Sequence, residues 1–396
     1  MPRIFYRSRF GLHFQRIPSW APELIAGTEA FEWIKIIDPP PENPFPSKRI
    51  IGRIYHNEGE DNKLIMQGTQ GADTYFNQCL PTYNRLPYVE VWEGPNESPV
   101  STQEQRAKLV EFELRWIQLM HDKGLFMTNR ARKAAALSLS VGWPDVGTGH
   151  EFADVAIEAD YIALHEYSAP SMKDDEGWHC LRYRKFVAEL AAVGVAAPQI
   201  MITEAGIDGG VLEDKGDEKE GDGWKSFTDE TGYLHQLIRY DQRITQLVDP
   251  QKANPVSTNN DPYVVCFTPF TSGPYEDWID FDVGENLVKR IAGYVASVTP
   301  PPEPPPTPPE PPPGPPPPIP PEPPASISEA IREEAYNQAG INYNPDAAFT
   351  REARERELGA PKTGEFDLGK YRAQGFDRGI LFCLVPRWNE IEFVSW

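Results

Sequence analysis

Two glutamates in this 396-residue chain stand at the ends of short apolar segments, where carboxyl groups could do chemistry. Glu97 follows Asn96 shortly after the segment Tyr88–Trp92, and Glu204 directly follows the segment Ile200–Thr203. Two carboxyl groups that face each other can divide a reaction between them, because one donates a proton while the other attacks or activates water. Such a pair requires a fold that brings two distant parts of the sequence together.

Apolar segments rich in β-forming residues alternate with amphipathic segments through residues 1–299. Nearly continuous apolar runs are typical of parallel strands covered on both faces. The amphipathic segments predict helices, among them Glu104–Lys123, Arg182–Val193 and Leu234–Leu247. Eight alternating strands and helices favour a (β/α)8 TIM barrel, although a doubly wound sheet would give a similar alternation. The predicted strands are Phe10–Phe14, Trp33–Ile37, Ile50–Tyr55, Tyr88–Trp92, Ala136–Val141, Tyr161–His165, Ile200–Thr203 and Val264–Phe267.

The positions of the two glutamates along this series of strands favour the barrel. Residues just past the carboxyl ends of barrel strands converge on one open face. Glu97 follows the fourth strand and Glu204 the seventh, so we expect their side chains to face each other across that mouth. Cleavage of a glycosidic bond by double displacement uses two carboxyl groups about 5–5.5 Å apart. The pattern therefore predicts a catalytic pair suited to glycosides.

Asn96-Glu97 after strand four and Glu204 after strand seven resemble the signature of glycoside hydrolase clan A, the retaining (β/α)8 glycosidases. The resemblance covers roughly residues 10–298. It implies that Glu97 is the acid/base and Glu204 the nucleophile, and that Asn96 hydrogen-bonds the sugar 2-hydroxyl. No clear arginine follows strand two, so no single family of the clan is indicated.

The segment His165-Glu166-Tyr167 after strand six is similar to the His-x-Tyr of several clan families. The resemblance implies that the Tyr167 hydroxyl holds the nucleophile and that His165 borders the sugar site. Glu166, by contrast, is expected to form salt bridges in the barrel wall or loops, as are Glu90 and Glu93.

Aromatic residues near the predicted strand ends are candidates for contacts with the apolar faces of sugar rings. Trp143 after strand five is the preferred platform, and Phe270 and Trp278 after strand eight are further candidates. His56 after strand three could line the same pocket or could be a loop histidine with its own partners.

The composition excludes several other classes of protein. A net charge of −21 argues against a nucleic-acid partner. Apolar runs long enough to span a membrane are missing from the sequence. Cys79, Cys180, Cys266 and Cys383 are widely spaced, which favours buried thiols over a metal site or a disulfide framework. We therefore expect no metal and no organic cofactor.

Proline divides the chain. Nineteen of the 42 prolines fall between Pro300 and Pro324, where only six other residues occur. Proline lacks the N–H that helices and sheets need, so this segment predicts a polyproline II linker. The predicted organisation is a catalytic barrel over residues 1–299, a linker over 300–324 and a small α+β domain over 325–396.

The small domain is predicted to contain a helix over residues 326–340, a second over Asp346–Leu358, and a hairpin formed by Gly379–Val385 and Glu390–Trp396. The segment from Leu358 to Phe382 resembles a single LGFP-type repeat, which is associated with cell-envelope proteins. The resemblance implies an envelope-binding or carbohydrate-binding module, and the alternative is a docking module that stabilises the barrel.

The leading hypothesis is a retaining glycoside hydrolase acting on β-linked oligosaccharides or polysaccharides. One alternative is a non-catalytic carbohydrate-binding or envelope-attachment protein on a barrel scaffold, and another is a phage-type wall-degrading lysin. The N-terminal residues lack the apolar region of a secretory signal. The expected location is extracellular or in the cell envelope, reached after removal of a signal ahead of this sequence or by release on lysis, and a cytoplasmic location is the alternative.

Overall fold

The computed structural model describes residues 7–125, 131–173, 177–212, 222–245, 261–298, 344, 347–368, 370–385 and 390–395. The chain forms two compact units, Met1–Pro302 and Glu303–Trp396. The predicted linker over 300–324 and the predicted helix over 326–340 lie outside the described residues. Within the described part of the chain, no helix is both long and apolar enough to span a membrane.

The first unit is a (β/α)8 barrel, as predicted. Eight strands lie in chain order in one sheet, and every pair of neighbours from β1 to β8 is parallel. The strands are β1 Leu12–Phe14, β2 Trp33–Ile37, β3 Arg49–Arg53, β4 Val91–Glu93, β5 Lys133–Leu139, β6 Tyr161–Ser168, β7 Ile200–Ile207 and β8 Val264–Pro269.

Two strands extend further than predicted. β6 runs to Ser168 and β7 to Ile207, so Tyr167 and Glu204 lie within strands and not after them, and His165 is an interior residue of β6 and not its last residue. The two strands stay paired because a register shift after Leu164 sets His165 opposite Glu204. Polar side chains are tolerated in these buried strands because they face one another inside the barrel.

The barrel closes where the first and last strands meet. The Gly11 N–H donates to the Phe267 carbonyl at 2.8 Å, and the Phe267 N–H donates to the Arg9 carbonyl at 2.9 Å. A Cβ at Gly11 would lie 2.7 Å from the Trp33 carbonyl oxygen. Glycine therefore lets β1 approach β2 and β8 closely enough for both pairings.

Eight helices in the described residues surround the strands. In α4, the longest of them, Thr102 and Gln105 form a reciprocal capping box, and the buried side includes Leu109, Phe112 and Trp116. The bounds agree with the predicted helix Glu104–Lys123 to within two residues. The helices are α1 Ala21–Ala26, α2 Glu58–Ile65, α3 Thr69–Arg85, α4 Gln103–His121, α5 Ala153–Glu158, α6 Tyr183–Ala192, α7 Glu230–Thr245 and α8 Glu285–Val298.

The interior of the barrel has an apolar layer and a polar layer. A buried apolar cluster is formed by Trp33, Ile51, Val91, Ala135, Tyr161, Ala163, Met201 and Cys266. Successive side chains on one face of a strand are two residues apart, so the next inward positions are Lys35, Arg53, Glu93, His165, Thr203 and Thr268. The polar layer therefore lies at the carboxyl ends of the strands, where a barrel carries its site.

An irregularity in β5 supports this polar layer. The register shifts between Ala136 and Leu139, and Leu137 and Ser138 have positive φ angles of 79° and 40°. The Leu137 N–H, displaced from the ladder, donates to Oε1 of Glu113 on α4 at 3.0 Å. The bulge turns the Ser138 hydroxyl inward, where it donates to Glu93 at 2.7 Å.

The second unit is a small α+β fold. The helix α9 (Ala348–Glu355) precedes an antiparallel sheet of β9 Phe366–Leu368, β10 Tyr371–Phe376, β11 Gly379–Leu384 and β12 Glu392–Val394, in the order β12-β11-β10-β9. The predicted hairpin is confirmed as the β11–β12 pair, whereas β9 and β10 were not predicted. The core contains Phe349, Leu358, Phe376, Leu381 and Cys383.

The carboxyl group of Glu113 yields a prediction about stability. Burial raises its pKa to about 8, from an ordinary value of 4.5. A raised folded-state pKa stabilises the fold below about pH 4.5, and that contribution is lost as the pH rises to about 8. Glu113→Gln removes this titration, so the variant should gain stability over the native protein as the pH rises, by roughly 2–4 kcal/mol.

Thermal unfolding across this pH range measures the effect. Glu104→Gln, at an exposed position on the same helix, is the matched control and should show no such trend. A difference between Glu113→Gln and the native protein that stays constant with pH would contradict the prediction.

Candidate active site

Glu204 lies at the centre of the polar layer. The residue is 6% exposed, and its Oε1 lies 3.0 Å from Nζ of Lys35 and 3.1 Å from a guanidinium nitrogen of Arg53. The Tyr167 hydroxyl donates to Oε2 at 2.9 Å. The contact predicted between Tyr167 and this carboxylate is therefore present.

The charges around Glu204 keep its carboxyl ionised. Burial alone would raise its pKa, but His165, Lys35 and Arg53 outweigh burial and hold the pKa well below its usual range. An ionised carboxylate is the form that can attack an electrophilic carbon.

Lys35 is shared between two buried carboxylates. Its ammonium lies 2.7 Å from Oε2 of Glu93, in addition to its contact with Glu204. Thr203 and Ser138 each donate a hydroxyl to Oε1 of Glu93 at 2.7 Å. Burial opposes ionisation of Glu93, but Lys35 and its other neighbours hold its pKa well below the usual range. Glu93 thus forms the predicted salt bridge, inside the barrel.

Glu97 faces the same cluster from the loop after β4. Its side chain is 33% exposed, and its Oε1 lies 2.9 Å from Nδ1 of His165. Its backbone has a positive φ of 46°, and its N–H donates to the Ser138 carbonyl at 2.9 Å. A residue other than glycine is strained in this left-handed region, and such strain concentrates at functional sites.

His165 lies between the two glutamates. Single atoms from Glu97, His165 and Glu204 all lie within 4.8 Å of one another. Burial would lower the pKa of His165, but Glu204, Glu93 and Glu97 raise it to about 9. The imidazole is therefore a cation at neutral pH, placed where it can separate and orient the two carboxylates.

Asn96 has partners on both sides of its amide. Arg53 donates to its Oδ1, and its Nδ2 donates to Glu58 at 3.0 Å. Glu58 is the first residue of α2, so the group predicted to contact the sugar is linked to both β3 and α2.

An aromatic cluster borders the carboxylates on the β8 side. Phe270 is buried and its ring centre lies 6.1 Å from that of Tyr167 and 5.4 Å from that of Trp278. Trp278 is 40% exposed and also contacts Phe281. The structure thus brings Phe270 next to the site and leaves part of the Trp278 ring accessible.

Trp143 and His56, which were also predicted to line the sugar site, contact other parts of the barrel. Trp143 is half-buried in the loop after β5 and packs against the main core. His56 turns toward the helices: its Nδ1 lies 3.1 Å from Asp61 and its Nε2 lies 3.8 Å from the Cys79 sulfur. Of its two predicted settings, His56 therefore has that of a loop histidine with its own partners.

The other glutamates serve the scaffold. Glu90 pairs with Arg49 at 2.5 Å and Lys133 at 3.0 Å at the opposite end of the barrel. Glu166 accepts backbone N–H groups from Leu181 at 2.6 Å and Tyr183 at 2.9 Å, and it anchors the segment after β6 mainly through these hydrogen bonds.

The sequence analysis did not identify three basic residues around Glu204, of which Lys35 and Arg53 are cations and His13 is an uncharged imidazole at neutral pH. Lys35 and Arg53 are described above, and Nε2 of His13 on β1 lies 3.8 Å from Glu204. Burial and the nearby Lys35 hold the pKa of His13 well below its usual range. The detectable signal was a basic residue inside an otherwise apolar strand, as in Trp33-Ile-Lys-Ile-Ile and Leu12-His-Phe.

Glu97, His165 and Glu204 are also the one set of potential metal ligands that the described residues bring together. Two features work against a cation there. Lys35 and Arg53 already compensate Glu204, and a protonated His165 has no free lone pair for a metal. The donor set thus suits proton transfer and nucleophilic attack better than metal binding.

No protein family and no curated protein matches the sequence. One solved structure with some similarity is the GH2 β-galacturonidase of Eisenbergiella tayi bound to galacturonate. The sequences are 14% identical, the alignment covers 74% of this chain and 52% of that chain, and the TM-score is 0.40. The chain thus spans about half the length of that β-galacturonidase.

Two further structures align over similar portions of the chain. The endo-1,4-β-D-mannanase of Thermotoga petrophila is 12% identical, with 73% of this chain and 99% of that chain covered and a TM-score of 0.42. A Gas2p variant of Saccharomyces cerevisiae in complex with laminaritetraose and laminaripentaose is 9% identical, with 75% and 64% covered and a TM-score of 0.41.

The shared cation Lys35 yields a prediction. Lys35→Met leaves two carboxylates buried without their common partner, so the barrel should lose about 3–5 kcal/mol of unfolding free energy. The double variant Lys35→Met/Glu93→Gln removes one of those charges and should recover part of the loss. Urea unfolding followed by tryptophan fluorescence measures both.

Lys133→Met is the matched control. This lysine pairs with Glu90 at a partly exposed position, where an ion pair contributes about 1 kcal/mol or less. Equal losses in Lys35→Met and Lys133→Met would contradict a structural role for the buried charge cluster.

Proposed function

We propose that this protein is a retaining glycoside hydrolase that cleaves β-linked oligosaccharides or polysaccharides. The observation that carries the proposal is the arrangement of Glu97 and Glu204, of which one carboxylate oxygen each lies within 4.8 Å of the other across the mouth of the barrel. The retaining reaction uses carboxyl groups about 5–5.5 Å apart, whereas the inverting reaction needs about 6.5–9.5 Å to admit a water.

In the first step Glu204 is the nucleophile. One of its carboxylate oxygens forms a bond to the anomeric carbon, while the bond from that carbon to the glycosidic oxygen breaks. Glu97 gives its proton to the departing oxygen. Tyr167 and Arg53 hold Glu204 from two sides, so the attacking carboxylate keeps one orientation.

In the second step the ester between Glu204 and the sugar is hydrolysed. Glu97, now ionised, accepts a proton from a water that attacks the anomeric carbon, and Glu204 leaves as a carboxylate. His165 lies 2.9 Å from Glu97 and is positioned to keep that carboxylate directed at the reaction centre in both steps.

The surroundings suit a neutral sugar. Trp278 is partly exposed next to the buried Phe270, and sugar rings carry apolar C–H faces that stack on accessible aromatic surfaces. Asn96, held by Arg53 and Glu58, offers its amide toward the sugar 2-hydroxyl. Trp143 remains a candidate for a more distant sugar unit.

The second unit is proposed to bind a cell-envelope or polysaccharide surface. Its sheet presents partly exposed aromatic side chains, Phe366, Tyr371 and Phe393, which is typical of carbohydrate-binding surfaces. With such a module, the enzyme would act outside the cell or in its envelope.

Substitution of either glutamate tests the catalytic assignment. Glu97→Ala should reduce turnover of an unactivated β-glycoside by roughly 10²–10⁴-fold, and Glu204→Ala by at least as much. The two roles separate on an aryl glycoside with a good leaving group: Glu97→Ala with added azide should give a glycosyl azide of retained configuration, and Glu204→Ala one of inverted configuration.

Glu90→Gln is the control, because that glutamate lies at the opposite end of the barrel. The configuration of the first product of the native enzyme, followed by NMR, tests the double displacement independently. Full activity in either alanine variant would refute the assignment, and an inverted first product would refute the retaining mechanism. Glycan binding without turnover would favour a non-catalytic binding protein.

Removal of the second unit tests its role. A chain cut within Pro300–Pro324 should keep its rate on small soluble glycosides and lose activity on insoluble or wall-bound polysaccharide. Both rates are measured on the same preparations. Equal loss on the two substrates would show that the second unit supports the barrel and does not recruit substrate.

A further inference from the structure

A second group of chemically reactive side chains lies between β3, α2 and α3, apart from the two glutamates. The Cys79 sulfur on α3 is 3.8 Å from Nε2 of His56, and Nδ1 of the same ring is 3.1 Å from Oδ1 of Asp61. His56 lies in the loop between β3 and α2, Asp61 lies on α2 and Cys79 lies on α3. Their order, thiol to imidazole to carboxylate, is that of an activated nucleophile with a base and a group that orients the base.

The carboxylate sets the state of the imidazole. Asp61 is 5% exposed, and its hydrogen bond, with that of Cys79, raises the pKa of His56 to about 10. His56 is therefore protonated at neutral pH. A cationic imidazole in contact with a sulfur favours the ionised thiol, which is the nucleophilic form of cysteine.

Few other ionisable groups face this arrangement. The Tyr75 ring on α3 lies 5.1 Å from the His56 ring, and Tyr83 lies one helical turn beyond Cys79. Burial raises the pKa of both tyrosines well above the usual value, so both are neutral and leave the charge balance to Asp61 and His56. At the rim, Lys63 and Glu60 pair with each other at 2.7 Å.

A cavity of about 430 Å³ leads to these residues from the surface. His56 and Asp61 line it, together with Asn57, Glu60, Lys63 and Gln78. Cys79 itself is 1% exposed, and His56 contacts both the cavity and the sulfur. The imidazole thus stands between the cavity and the thiol, and a small reagent that enters the cavity contacts His56 and reaches the sulfur only past that ring.

We propose that Cys79, His56 and Asp61 form a nucleophilic thiol site that takes small soft electrophiles, such as alkyl halides and disulfides. With an alkyl halide, the thiol proton resides on His56, the sulfur forms a bond to carbon, and the halide leaves with the bonding electron pair. With a disulfide, the sulfur bonds to one sulfur of the reagent and the other leaves as a thiolate. Neither step needs a further oxidant or reductant.

Cys266 provides an internal reference. It is a buried thiol in the barrel interior, where burial raises its pKa well above the usual value. Iodoacetamide labelling of the native full-length protein, resolved by residue with mass spectrometry, should modify Cys79 at least about tenfold faster than Cys266. Equal rates would overturn the proposal.

The pH dependence of labelling distinguishes an ion pair from simple access. If His56 pairs with a thiolate, labelling of Cys79 should change less than about twofold between about pH 6 and pH 8. His56→Gln, of similar size, should restore an ordinary thiol and a rise of up to about 100-fold over that range. Asp61→Asn should shift the profile the same way, and Gln78→Ala, which only lines the cavity, should leave it unchanged. A steep rise in the native protein would contradict the proposal.

Ultraviolet absorbance of the thiolate gives a second measurement that does not depend on reagent access. The native protein minus Cys79→Ser should show one thiolate equivalent at neutral pH, and the same difference in the His56→Gln background should show none. Absence of the native signal would refute the ion pair even if labelling were fast.

Discussion

The carboxylate of Glu204 lies almost entirely out of water, and an ionised group in that position is tolerated because cations and donors face it. Lys35 comes from β2, Arg53 from β3, His165 and Tyr167 from β6, and all reach it across the barrel interior. A buried charge without such partners costs several kcal/mol. The closure and register of the strands are therefore conditions for this charge, since a shift of one residue would turn each partner to the outer face.

The same cation ties the site to the scaffold. Lys35 also neutralises Glu93, and Glu93 in turn is held by hydroxyls from β5 and β7. The β5 hydroxyl points inward because of the bulge at Leu137 and Ser138, which Glu113 stabilises from outside the sheet. The geometry of the proposed nucleophile thus depends, through four contacts, on a helix residue that never reaches the substrate face.

The strand pattern predicted the barrel and the pair Glu97 and Glu204, because strand ends in this fold have one shared direction. The predicted strands were too short at β6 and β7. Polar residues usually mark the end of a buried strand, but here they continue the strand with their side chains facing the barrel interior. Lys35 was missed for the same reason: one lysine in an apolar strand is informative only when its facing residues are known. Arg53 was missed because it reaches Glu204 from strand three and not strand two. The direction of His56 is set by α2 and α3, and no local pattern encodes it.

The chain as a whole is strongly acidic, whereas the site contains several cationic side chains. The protein carries a net charge of −21, yet three cationic side chains, Lys35, Arg53 and His165, surround the glutamates in the barrel mouth. In the proposed reaction Glu204 loses its negative charge when the ester forms and regains it when the sugar leaves. Lys35 and Arg53 stay in place through both steps, so they stabilise Glu204 as a departing carboxylate without any reorganisation of solvent. The proposed substrate, a neutral sugar, therefore does not have to bring a compensating charge.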